Sequence, residues 1–261
     1  MKINDQTEPK TYNLFGLSIS NIDFDSIINL TSNAISSGEK ITIGYINPHI
    51  ARYAHNDSSL KIIINSFTFN HLDGIGMELA CRLFIKDESI LRLHWTWADG
   101  ALQYIRNCEQ KNWKIFLLGS DEFALAKAKE NILKNFPALK LVGSLNGYDD
   151  LNESTVNKIN ESCTNILWVG IGSLRQEAWI IKNFEKLSCN VIQSVGDLYN
   201  DIAGNRLRGP AFLRKLGFEW FFRLVQNPVK YFNRYVIGIP YFFFLILMYK
   251  FNGHKKISSK I

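Results

Sequence analysis

At 261 residues, with 46% hydrophobic and 21% charged side chains, the chain can bury a full core, which excludes a disordered protein. Its net charge of +6 is uneven: Arg206, Arg208, Arg214, Lys215, Arg223, Lys230 and Arg234 cluster late, with Glu219 the only acid among them. Such a patch suits phosphates, whether of nucleic acid, anionic lipid or a diphosphate substrate; the plain alternative is a solvated helix face.

In chain order, the polar opening "MKINDQTEPK" lacks the apolar run of a signal peptide, so a cytoplasmic protein is expected. "DFD" (Asp23 and Asp25) precedes a helical pattern near 26–36 and reads as a cap rather than a metal pair. Strands are predicted at 41–46 ("ITIGYI") and 61–67 ("KIIINSF"). In "HLDGIGMELACRLF", Ile75, Leu79, Ala80, Leu83 and Phe84 recur at helical spacing, so a helix over 74–85 begins near Gly74 or Ile75. Asp73 immediately precedes it and is either the N-cap or a residue with chemistry to do.

Helical patterns follow at 98–110, 121–135, 153–162 and 174–186, alternating with apolar runs at 114–118, 139–143, 165–170 and 190–195. Short apolar runs separated by amphipathic helices specify an α/β fold with a mainly parallel sheet and crossover helices. Ligands bind beyond the carboxyl ends of such strands, which here are the turns "LLGSDE", "WVGIGS" and "SVGDLYN". Gly119 and Ser120 either turn backbone N–H groups and a helix N-terminus toward a phosphate or form a plain turn capped by Ser120. Gly170 and Gly172 lack the third glycine of a dinucleotide site, which disfavours a nicotinamide enzyme. The five histidines form no zinc motif, and four widely spaced cysteines suit a reducing compartment, with Cys81 and Cys163 read as small core residues.

After Gly204 the chain turns basic and aromatic, and "VIGIPYFFFLILMY" (236–249) is continuously apolar apart from Gly238 and Pro240. It is shorter than the ~20 residues of a span, with positive charge on both sides, so it is expected to lie in the cytoplasmic leaflet rather than cross. A buried core helix is the alternative. Residues 1–204 are thus read as the core and 205–261 as a C-terminal appendage whose segment 236–261 can be removed without unfolding the core. Nucleic acid is disfavoured as the partner of the basic tail, because its neighbour "YFFFLILMY" points to lipid.

The order of these pieces carries more than any one of them. "LDGIGMELACRLF", "IFLLGS", "GIGSLRQEAWI", "VGDLYNDIAGNRLRGP" and "GFEWFFRL" with "NP" close behind resemble the WecG/TagA/CpsF glycosyltransferase family (glycosyltransferase family 26), from about residue 11 to residue 235. The resemblance implies a Rossmann-like core and an inverting transfer of a sugar from a UDP donor to a polyprenyl-diphosphate-linked saccharide in surface polysaccharide biosynthesis. The sugar would be N-acetylmannosamine-like, glucose or related. It further implies no cofactor, no essential metal, and peripheral or monotopic attachment at the cytoplasmic face of the plasma membrane; a homo-oligomer is allowed, not required.

Residue by residue, the resemblance places Asp73 as general base and Arg92 as a catalytic cation. It offers Asn47, Gly119, Gln176, Glu177, Asn200, Asp201, Arg208, Arg214 and Arg223 for nucleotide or substrate. The chain departs from the family pattern at Tyr45, Trp95, Trp97, Leu174, Asn200 and Gly209, where threonine, a glycine-and-acid turn, proline, an acid and alanine are usual. The alternative is therefore an inactive relative that binds UDP or lipid and organises an assembly complex.

Overall fold

The computed structural model describes residues 9–85, 100–149, 151–205 and 219–251. The expected alternation builds a six-stranded sheet from β3 (Ile41–Ile46), β4 (Phe69–Leu72), β5 (Lys114–Gly119), β6 (Lys140–Leu145), β7 (Ile166–Gly170) and β8 (Val191–Ser194). Its order is β4-β3-β8-β7-β5-β6, and every pairing is parallel. From β3 the chain first moves outward to β4, then crosses to build the other side, so the reversal falls between β3 and β8. That crevice is where a doubly wound sheet accepts a ligand.

Alternating side chains supply both faces. Ile115 and Leu117 join the core formed with α1 (Phe24–Ser37), α5 (Gly100–Gln110), α6 (Glu122–Asn135) and α9 (Leu198–Ala203). Phe116 and Leu118 join the opposite core, with α7 (Glu153–Glu161) and α8 (Arg175–Asn183). Burial on both faces explains why these strands read as continuous apolar runs.

The run 61–67 is not a strand. It belongs to α3 (Ser58–Asn65), which follows α2 (Pro48–Asn56), and the strand is the less apolar Phe69–Leu72. Asp57 decides this locally: its carboxylate accepts from the N–H groups of Ser59 and Leu60 and starts the helix. Leu60 and Ile64 then face inward at helical spacing, while Ile62 is exposed. Asp23 caps α1 through Ser26, at 2.8 Å to its N–H, in line with the capping expectation. Cys81 is buried, whereas Cys163 is exposed in a left-handed turn after α7, contrary to its expected core position; Cys108 and Cys189 are the further buried thiols.

A third core lies at the β4 edge. The antiparallel hairpin β1 (Thr11–Leu14) and β2 (Leu17–Ser20) turns through Phe15 and Gly16, both at positive φ. Positive φ at both central positions is the type I′ geometry that matches strand twist. The strain at Phe15 is offset by burial: it is 1% exposed and packs edge-on against Phe84, Phe242 and Tyr249. Phe84 comes from α4 (Ile75–Ile85). Phe242 and Tyr249 come from the C-terminal helix, which links this hairpin to the end of the chain.

That end comprises α10 (Glu219–Gln226), α11 (Pro228–Phe232), a π-helical turn (Asn233–Ile237) and α12 (Gly238–Phe251). Asn233–Phe251 is long and apolar enough to cross a membrane by length and composition. Yet Phe242, Leu245 and Ile246 are buried in the hairpin core, and Tyr241 Oη donates to Asn56 Oδ1 at 2.9 Å. Phe243, Phe244, Leu247 and Phe251 are exposed. One face of α12 is thus protein core, where the sequence alone suggests a separable tail.

Candidate active site

The acid expected at the strand–helix junction is free of the helix. Gly74, at φ +82°, gives its carbonyl to the N–H groups of Met77 and Glu78, so the backbone starts α4 and Asp73 is not its cap. Parallel pairing of Ile46 with Leu72 puts residues 47 and 73 side by side at the carboxyl edge, tied by Asp73 N–H to Ile46 C=O at 2.9 Å. Asn47 caps α2, its Oδ1 accepting from Ile50 N–H at 3.0 Å. That bond fixes the amide so that Nδ2 faces Asp73 Oδ2, at 3.4 Å. A half-buried carboxylate is therefore held by a neutral donor at the mouth of the crevice.

A second group gathers beyond β5, β7 and β8. At Gly119 an added Cβ would run into the carbonyl of Gly170, which explains the glycine where the strands converge. Ser120, left-handed at φ +57°, donates its N–H to Gly170 O at 3.1 Å and accepts at its carbonyl from Gly147 N–H at 2.7 Å. The cap of α6 is Asp121, not Ser120; its carboxylate accepts from Ala124 N–H at 2.8 Å. Ser120 Oγ instead faces Asn200 Nδ2 at 3.4 Å, and Asn200 donates to Asp197 Oδ1 at 2.6 Å. A polar cleft of about 250 Å³ opens here, lined by Asp197, Asn200, Asn205, Arg223, Gln226, Asn227 and Tyr231. Helices α10 and α11 and the residue that links them, Asn227, supply its last four members, so the C-terminal region forms one wall. Asp201, one residue beyond Asn200, is not among the lining residues.

Gln176 and Glu177 lie beneath the surface, 0% and 1% exposed. Gln176 Nε2 donates to Tyr45 Oη at 3.1 Å and to Glu177 Oε1 at 2.7 Å, while its Oε1 accepts from Gly196 N–H at 3.1 Å. Glu177 accepts Leu174 N–H at 2.5 Å and restrains a turn in which Leu174 sits at φ +73°. Burial pushes the Glu177 carboxyl up to about 7, against the opposing effect of these donors. The pair therefore fixes the loops after β7 and β8. Arg92, Arg208 and Arg214 fall outside the described residues, as do Trp95, Trp97 and Gly209.

The sequence reading missed Asp197, Asn205, Gln226, Asn227 and Tyr231 as the lining of one cleft, because the fold joins turns and helices far apart in the chain. Tyr45 was visible only as an unusual residue at a strand end. Its hydroxyl meets Ser173 Oγ at 3.0 Å, and its ring centroid lies 6.1 Å from that of buried His71. Among the described residues, no group of three or more His, Cys, Asp or Glu side chains could hold a metal ion.

Comparison with known proteins identifies relatives across most of the chain. An N-acetylglucosaminyldiphosphoundecaprenol N-acetyl-beta-D-mannosaminyltransferase of Bacillus spizizenii (strain W23) is 25% identical over 214 residues, 82% of this chain and 79% of the relative. Its namesake from Staphylococcus aureus (strain MW2) is 26% identical over 218 residues, 79% of this chain and 83% of that protein. The model of the glycosyl transferase WecG/TagA/CpsF family matches residues 12–256, and the chain belongs to that family.

Proposed function

We propose that this glycosyltransferase of polysaccharide synthesis moves a hexose from a UDP-sugar to a polyprenyl-diphosphate-linked saccharide, with inversion, at the cytoplasmic face of the membrane. Asp73 acts as general base. It takes the proton of the acceptor hydroxyl as that oxygen attacks the anomeric carbon, and the anomeric C–O bond to UDP breaks with its electron pair passing to the diphosphate. Such assistance is typically worth about 10²–10⁴ in rate. Asn47 orients the carboxylate without neutralising it. Charge gathering on the leaving diphosphate is met by Arg223 at the cleft, by Arg92, Arg208 and Arg214, and by the backbone dipoles at Gly119. Asn200 and Asp197 line the nucleoside end, with Asp201 adjacent; Gln176 and Glu177 hold the loops that carry them. The core of 1–204 performs this chemistry and 205–261 closes the cleft and meets the membrane.

The observation that carries the reading is Asp73 itself, a carboxylate not used as a helix cap and presented by Asn47 at the edge where ligands enter. UDP release in the presence of lipid-linked acceptor tests it, with Asp73→Asn as the control that should bind UDP without turnover. One observation favours the second reading: Asn200, where an acid is usual in the family, already donates to Asp197. UDP binding with no transfer to any lipid-linked acceptor would make this chain a binding relative rather than an enzyme.

A further inference from the structure

Tyr45 lies on β3 beside the reversal of strand order, and its hydroxyl reaches Ser173 and Gln176 beyond β7 and approaches Gly196 beyond β8. On one side is Asp73, whose charge its hydroxyl feels; on the other is the Gly196–Asp197 turn that leads into the polar cleft. The contact with that turn is close, since a Cβ added at Gly196 would lie 2.8 Å from Tyr45 Oη. On the UDP-sugar reading, a hexose held between a diphosphate in the cleft and an acceptor oxygen beside Asp73 would lie near this hydroxyl.

Counting protons shows what the hydroxyl can offer. Gln176 Nε2 donates to Tyr45 Oη, and Tyr45 Oη and Ser173 Oγ share one hydrogen bond at 3.0 Å. The two hydroxyls carry two protons, and that bond uses one. The other meets no acceptor among the described residues, and both side chains are partly exposed. Gln176 cannot fill this role, because it is wholly buried and its amide already serves Tyr45, Glu177 and Gly196.

We propose that the Tyr45–Ser173 hydroxyl pair recognises the transferred sugar, donating its remaining proton to a hydroxyl or carbonyl oxygen of the hexose while the phenol ring forms the floor of that subsite. This rests on the UDP-sugar reading above and adds a specificity determinant to it.

The test titrates UDP and a panel of UDP-hexoses into the full-length wild type, Tyr45→Phe, Ser173→Ala and the double variant by calorimetry. Loss of whichever hydroxyl faces the sugar should weaken the preferred UDP-hexose roughly 3–10-fold, the size of one neutral hydrogen bond, and leave UDP unchanged. The double variant should match the worse single variant rather than the product of the two losses, because only one proton is at stake. Ser173→Ala keeps the Gln176–Tyr45 bond, so the comparison survives should Tyr45→Phe fold poorly. Multiplied losses, an equal loss for UDP alone, or unaltered hexose binding in the double variant would overturn the proposal. A wild-type protein that binds no UDP would overturn the nucleotide reading itself, before any variant is compared.

Discussion

The two faces of α12 invite opposite substitutions. Phe242 is 2% exposed among Phe15, Phe84 and Ile246, whereas Phe243, Phe244 and Leu247 are each about half exposed, at 51%, 54% and 50%. Truncating a buried phenylalanine costs about 3–5 kcal/mol through lost transfer energy and the cavity left behind. At about 2–4 °C per kcal/mol for a chain of this size, Phe242→Ala should lower the melting temperature by roughly 6–20 °C. A triple change of Phe243, Phe244 and Leu247 to serine should leave the melting temperature nearly fixed. If those side chains enter a leaflet, it removes about 1.5–3 kcal/mol of membrane burial apiece, more than the ~1 kcal/mol of each basic residue nearby. Flotation with anionic and neutral vesicles, beside thermal melts, measures both quantities. Release of Phe242→Ala with retention of the triple variant would refute the assignment of faces. Deleting 236–261 outright would strip Phe242, Leu245 and Ile246 from the core, about 5–9 kcal/mol, so the truncated chain should be unstable rather than a soluble enzyme.

Asp73→Asn should retain UDP binding and lose at least about a hundredfold in turnover, read by UDP release; near-normal turnover would leave Asp73 no role as base. Transfer should survive excess chelator, and abolition with rescue by magnesium or manganese would count against arginine-based phosphate stabilisation. Arg223→Ala should harm activity more than Lys255→Ala or Lys256→Ala, since a guanidinium can clasp a diphosphate through two parallel bonds; equal losses would reduce Arg223 to diffuse charge. Glu177 should make stability depend on pH. Its folded pKa of about 7 lies above the ordinary 4.5, so the folded state binds the proton more tightly and stability falls as pH rises from about 4.5 through 7. Denaturant melts of wild type and Glu177→Gln across that window should show the decline in the former alone.

What the sequence revealed and what it hid follow from range. Strands β3, β5, β7 and β8 were legible because burial on both faces leaves largely apolar runs, and the ends of all four carry candidate site residues; edge strand β6, only partly buried, was legible from its apolar run alone. The β4 strand was misplaced because "KIIINSF" is more apolar than "FNHL"; Asp57 starts a helix in front of the former, and pairing with β3 selects the latter. The hairpin turn was hidden for a similar reason. Phe15-Gly16 is not an ordinary two-residue turn pair, and its positive φ is sustained by rings from residues 84, 242 and 249 that a local reading cannot see. Asp73 illustrates the same limit at the site. Its neighbours in sequence suggested a cap, and only the register of β3 against β4 gives it Asn47 instead.

The same helix that orients the acid also anchors the apolar end of the chain. Asn47 begins α2, and five residues later Arg52, buried, grips the π-helical turn: its guanidinium donates to Asn233 O at 3.2 Å and to Asn233 Oδ1 at 3.2 and 3.3 Å. At 1.5 Å per residue, these two functions are separated by roughly 8 Å of helix. The turn precedes Pro240, whose ring lacks a backbone N–H, and Asn233 O accepts both from Gly238 N–H and from the Arg52 guanidinium. Burial and the cations of Arg234 and Arg52 push His49, on the same helix, down to about 4, which keeps its imidazole neutral beside Tyr53. The α2 helix itself carries no acid, and Arg52 is its polar hold on the C-terminal turn. An acceptor whose diphosphate is fixed at the lipid surface cannot travel far into the protein. On the function proposed above, Asp73 therefore stands beside the helix that holds the apolar end of the chain, as a lipid-tethered substrate would require.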